Sequence, residues 1–109
     1  MHELSITQSV VDIVSERTGA AKVSVVHLQI GKLSGVVPDS LRFCFDLITE
    51  GTPLEGARLV VDEPMGSGTC HECGQDFPLS MLILLCPCGS ADVSINDGQQ
   101  LAIVSVEVA

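Results

Sequence analysis

The chain has 109 residues, with 14 Asp plus Glu against 5 Lys plus Arg, a formal charge of −9, and 46% hydrophobic residues with neither Trp nor Tyr. That is one domain's length of chain, or one small domain carrying an insertion, and plentiful aliphatic residues with only 17% charged residues favour a packed core over disorder. Non-specific contact with a phosphate backbone or an anionic lipid surface needs Lys or Arg, so nucleic-acid and membrane partners are disfavoured.

The opening Met1-His2-Glu3-Leu4-Ser5-Ile6-Thr7 has no Lys or Arg before Arg17, unlike a secretory signal. The longest apolar run, Met81 to Cys86, falls far short of the roughly 20 residues that span a bilayer. A cytoplasmic protein with no transmembrane helix is expected. From Leu4 to Thr18, the apolar Leu4, Val10, Val11 and Val14 fall near helical spacing with polar residues between them, and Gly19 follows as a stop. This predicts a first amphipathic helix. Lys22 to Ile30 is β-branched and apolar, with Val26, Leu28 and Ile30 on one face and Val23, Val25, His27 and Gln29 on the other, which predicts a strand half buried on each side. Leu41, Cys44, Phe45 and Ile48 recur at helical spacing after Pro38-Asp39-Ser40, which predicts a second helix closed at Gly51. Ala57 to Glu63 and Leu101 to Val108 read as further strands.

Between those last two strands lies a segment with its own punctuation: Pro64, Gly66 and Gly68 lead in, and Asn96-Asp97-Gly98 lead out. The expected architecture is therefore α/β (α+β), two helices on a three-stranded sheet formed by residues 1–63 and 99–109. A zinc-ribbon-like subdomain is inserted at 64–98.

That insertion holds four of the five cysteines, Cys70, Cys73, Cys86 and Cys88, within nineteen consecutive residues. In a reducing compartment such clustering argues for metal before disulfide. Two close cysteine pairs joined by a hairpin can set four thiolates tetrahedrally around Zn(II), with Zn–S at about 2.3 Å. The second pair is shortened, with only Pro87 between its cysteines, so one of its thiolates is expected to lack the turn amides that normally support it. A redox dithiol at Cys70 and Cys73 would stand near a helix start in a βαβ setting, and nothing of that kind precedes Cys70. Four thiolates leave no open position for water, so the zinc is expected to be structural and not catalytic.

At the amino terminus, the α-amine, the backbone nitrogens of His2 and Glu3, and the His2 imidazole could supply four nitrogens in a plane, the geometry favoured by Ni(II) and Cu(II). By spacing alone, the preferred reading of His2 is an incidental residue on a frayed terminus. Cys44 reads as a small core residue, His27 as packed or solvated on the sheet, and His71 as a surface histidine. The run Leu79 to Leu85 reads first as local core, but a small zinc hairpin has little core in which to hide it, so a surface for a second copy of the chain or for a partner protein stands beside that reading.

Met1-His2-Glu3-Leu4-Ser5, Ile30-Gly31-Lys32-Leu33-Ser34, Leu41-Arg42-Phe43-Cys44-Phe45-Asp46, the Cys-x-x-Cys, Cys-Pro and Cys-Gly-Ser elements and the closing strand occur in one order along the chain. Together they resemble the HypA/HybF family, nickel metallochaperones of hydrogenase maturation. The resemblance implies Ni(II) carried at Met1, His2 and Glu3, with His2 giving its side chain. It implies structural Zn(II) at Cys70, Cys73, Cys86 and Cys88, although the family pattern has two residues where this chain has only Pro87. It further implies delivery to the large subunit of [NiFe]-hydrogenase in concert with a HypB-like maturation GTPase, some relatives also serving urease, and no catalysis. The rival reading is a zinc-ribbon protein-interaction module with no nickel role.

Overall fold

A computed structural model of the chain describes residues 2–109. Its elements in order are α1 (Glu3–Thr18), β1 (Val23–Ile30), α2 (Pro38–Ile48), β2 (Arg58–Asp62), β3 (Gly66–Cys70), β4 (Asp76–Leu79), β5 (Val93–Asp97) and β6 (Leu101–Val108). They fall into two compact units. One comprises the residues up to Leu28, Val36–Val61 and Ala102–Ala109, and the other comprises Gln29–Gly35 and Asp62–Leu101.

In the first unit α1 packs against α2, and the sheet has the order β2-β1-β6. β1 is the central strand, which is why its Val23, Val26, Leu28 and Ile30 are each 1% exposed or less. Its ladder with β6 is antiparallel: Ala109 N–H, beyond the end of β6, bonds the carbonyl of Lys22 ahead of β1, and Gly31 N–H beyond β1 bonds the carbonyl of Gln100 ahead of β6. α2 starts with Pro38 at its first position and Asp39 in its first turn, as a helix N-terminus favours, and it buries Leu41 and Phe45. Thr49, with its hydroxyl on the Phe45 carbonyl, and Gly51 at φ 76° end it.

Two sequence expectations are corrected here. Leu4 is 58% exposed, whereas α1 buries Glu3, Thr7, Val10, Val11 and Val14. A polar pair wins the inner face because both members are satisfied there: the Thr7 hydroxyl bonds the Glu3 carbonyl, and the Glu3 carboxylate accepts the Val37 N–H. His27 lies on the sheet as expected, its Nε2 2.5 Å from Glu107 Oε2. Cys44 is only half-buried, with Phe43 beside it exposed.

The second unit is built on the antiparallel sheet β4-β3-β5. Gly66 pairs with Leu79 and Thr69 with Asp76 on one side of β3, and Gly68 pairs with Ile95 and Cys70 with Val93 on the other. Leu33, Cys70, Phe77, Leu79 and Cys86 form its core, with Leu84, Val93 and Ile95 packed around them. Leu33 reaches this core because Lys32 N–H bonds Pro64, and Leu33 N–H bonds Gly98 at 2.7 Å. The approach is so close that a Cβ on Gly66 would lie 2.2 Å from Leu33 Cδ1. Gly98, at φ +100°, would bring a Cβ within 2.4 Å of the Gly66 backbone, so both positions demand glycine. Among the described residues, no helix is long and apolar enough to cross a membrane.

Candidate metal centres

The cysteine pairs sit in two matching turns. Cys70 ends β3 and Cys73 follows in the turn toward β4; Gly74, at φ 73°, donates its N–H to the Cys70 carbonyl. In the second turn Gly89, at φ 98°, does the same to the Cys86 carbonyl, and Cys86 N–H closes onto Ser90. These left-handed glycines let each turn fold its sulfurs back to one point.

At that point the four Sγ atoms all lie within 4.8 Å of one another, with Cys70–Cys88 at 3.8 Å and Cys73–Cys86 at 3.6 Å. A tetrahedron with Zn–S bonds of about 2.3 Å has S–S edges of about 3.8 Å. The donor set therefore fits zinc. Cys88 stands among the other three despite the shortened spacing. The expected loss of amide support is corrected as well: Cys88 N–H donates to Cys86 Sγ at 3.4 Å, as Cys73 N–H does to Cys70 Sγ at 3.5 Å. One residue between the cysteines is enough to aim this amide at the first sulfur.

The thiols are unequal in acidity. The backbone N–H of Cys73 is the largest influence on Cys70 and, with the Glu72 amide and the neighbouring thiols, holds it down to about 6 against the effect of burial. On Cys86 the Cys88 amide pulls downward, but burial and the thiols of Cys88, Cys73 and Cys70 outweigh it and push the group up to about 12. Cys73 is also raised: the Gln75 backbone and the Cys86 thiol pull it down, and desolvation with the Cys70 and Cys88 thiols prevails. Cys70 thus offers a ready thiolate, and a cation is what makes it favourable for Cys86 to lose its proton. His71 is exposed and is held by Ser94 Oγ on the neighbouring strand.

At the amino terminus His2 is the N-cap of α1 and is exposed, and its carbonyl accepts the first helical bond, from Ile6 N–H at 2.9 Å. The amides of His2 and Glu3 precede that bond, so they belong to the group of helix N-terminal N–H donors with no intrahelical acceptor. The Glu3 carboxylate is buried, 8% exposed, with Oε2 3.3 Å from the Val37 nitrogen. This anchoring is not legible in the sequence, which offers Glu3 only as part of the nickel motif ahead of the helix. The remaining expected nickel ligand, Met1, lies outside the described residues.

Comparison with known proteins gives one answer. The family described as hydrogenase/urease nickel incorporation, metallochaperone, hypA matches residues 1–108. A hydrogenase maturation factor HypA from Nostoc punctiforme is 46% identical over 108 residues, covering 99% of this chain and 96% of that protein. One from Geobacter metallireducens is 47% identical over 109 residues, covering 99% of each. In fold, the solution structure of the Ni metallochaperone HypA from Helicobacter pylori superposes with a TM-score of 0.63 at 23% identity, covering 99% of this chain and 97% of that one.

Proposed function

The chain belongs to the HypA family of hydrogenase/urease nickel-incorporation metallochaperones, and from that premise we propose that it loads Ni(II) on nitrogens at its amino terminus and delivers it to the large subunit of [NiFe]-hydrogenase. The donors are the α-amine of Met1, the backbone nitrogens of His2 and Glu3, and the His2 imidazole, a square-planar set suited to Ni(II). The observation that carries this reading is the placement of the first helical hydrogen bond at Ile6 N–H. Because the amides of His2 and Glu3 precede it, they can lose their protons to the metal without breaking a bond of α1. Glu3 takes part through its backbone, its carboxylate being engaged by Val37.

An exposed site on a helix cap suits a carrier, because a buried, closed site would release its cargo slowly. Zn(II) is bound by Cys70, Cys73, Cys86 and Cys88, where it supplies folding free energy to the second unit and no chemistry, since four thiolates leave no position for substrate. The protein is accordingly a carrier and not an enzyme. Its free thiols suit the cytoplasm. Delivery requires docking on a HypB-like maturation GTPase and on the acceptor. Met81, Leu82, Ile83 and Leu85, each more than half exposed beside the cysteine centre, offer an apolar surface for one of them.

Calorimetric titration of zinc-loaded protein with Ni(II) tests this assignment. Stoichiometric binding by the parent and its loss in His2→Ala are expected, with zinc content unchanged. Equal nickel binding by the two proteins would reduce the chain to a zinc-ribbon interaction module with no amino-terminal nickel site.

A further inference from the structure

Between β4 and Cys86 the chain holds Met81, Leu82, Ile83 and Leu85 out in solvent, at 61%, 57%, 60% and 53% exposure. So many open apolar side chains in so short a segment form a contiguous patch of the kind that marks an interaction site. The segment is pinned at several points. Leu79 before it and Cys86 after it are buried, Leu84 packs against the core of the second unit, and Leu85 N–H bonds the Ile83 carbonyl at 3.0 Å. With Leu84 anchored inward, its neighbours are presented on a backbone that is already ordered, so docking costs little conformational entropy.

Charge around the patch selects what can cover it. The second unit holds six carboxylates against one cation, Lys32. Glu72 lies in the first cysteine turn, Asp92 follows the second, and Asp76 opens the strand that leads into the patch; all three are exposed. Zn(II) held by four thiolates adds a further net double negative charge at Cys86, where the patch ends. A second copy of the chain would set the same charges against these, and an anionic lipid surface would repel them. A partner suited to the patch must therefore offer an apolar groove with Lys and Arg at its rim, since an interface buries apolar side chains at its centre and matches charge around them.

We infer that the occupant is such a basic-rimmed apolar groove on the nickel acceptor. The inference rests on the delivery reading above and deepens it by assigning this patch to the acceptor and naming the chemistry of the acceptor's docking site. The second unit contains none of the proposed nickel donors, so an acceptor held by the patch leaves them free to give up the metal.

Calorimetric titration of the zinc-loaded full chain with purified, nickel-free hydrogenase large subunit tests it. Leu82→Ser combined with Ile83→Ser should weaken binding roughly a hundredfold, because burying one Leu or Ile is worth about tenfold or more. Asp92→Lys should also weaken it, whereas Glu50→Lys, the same change of charge on an exposed residue of the first unit, should leave it near the parent's. Every variant should keep its zinc and titrate with Ni(II) like the parent, which separates a lost surface from a lost fold and from a lost nickel site. Equal affinity of the double variant and the parent would overturn the surface and leave delivery standing; a parent that binds no large subunit would overturn delivery and the surface together. Equal loss in Asp92→Lys and Glu50→Lys would overturn the charge argument. Acceptor binding kept by the double variant, with loss instead of GTPase binding, of self-association or of adsorption to anionic vesicles, would give the patch to that other occupant.

Discussion

Oε2 of Glu3 lies 3.3 Å from the backbone nitrogen of Val37, so the residue that follows His2 is tied by its side chain to the N-cap of α2. Glu3→Ala should leave the Val37 amide without that partner and the Glu3 backbone nitrogen in place. A stability loss of about 0.5–1.5 kcal/mol, the net worth of one part-buried hydrogen bond, is expected with nickel stoichiometry retained. Urea unfolding together with nickel titration checks both halves; lost nickel at unchanged stability would make the carboxylate a ligand.

Removing zinc with a chelator should unfold the second unit and leave α1, α2 and their sheet standing. The second unit's hydrophobic core is a cluster of five buried residues, two of them the proposed ligands Cys70 and Cys86. Cys88→Ser should do the same damage as Cys70→Ser, because Cys88 Sγ sits at a full tetrahedral edge, 3.8 Å from Cys70 Sγ. Residue-resolved hydrogen exchange reads this as lost protection confined to β3, β4 and β5. A milder Cys88→Ser would mean that three thiolates suffice.

The contrast between the two units also explains what the sequence reveals and what it hides. α1, β1, α2, β2 and β6 are legible because their apolar residues keep a period of 3.6 or 2, and each lies within a residue or two of its expected bounds. β3, β4 and β5 are not: Gly66-Ser67-Gly68-Thr69-Cys70 and Asp76-Phe77-Pro78-Leu79 are short and carry two glycines and a proline. Their pairing is defined by the cysteine turns, which spacing reveals only as a cluster. The Glu3–Val37 link joins residues 34 apart, and no local pattern encodes it.

Gly66→Ala should destabilise the second unit selectively. The added methyl would meet Leu33 Cδ1 at 2.2 Å and the Asp97 carbonyl at 2.9 Å, so the turn that inserts Leu33 must move. Overpacking of this kind costs about 1–3 kcal/mol. Zinc affinity should weaken with it, and unfolding followed at the second unit's amides checks the size; parent-like stability would mean that Leu33 rotates away freely.

Nickel affinity should fall steeply on acidification, because the α-amine, the imidazole and both backbone amides must give up protons to bind the metal. Titration in buffers of different ionisation enthalpy should show more than one proton released per Ni(II). Release of none, with affinity flat in pH, would assign the metal to carboxylates already ionised.

The most direct test of amino-terminal nickel loading is a single residue added ahead of Met1. The extension moves the α-amine out of reach of the His2 imidazole and leaves every described residue in place. Titrated with Ni(II) and followed by visible absorption, the native chain should take up one metal with the spectrum of a square-planar nitrogen site, and the extended chain should lose both the binding and the spectrum. The same spectrum at the same stoichiometry in both proteins would contradict the account.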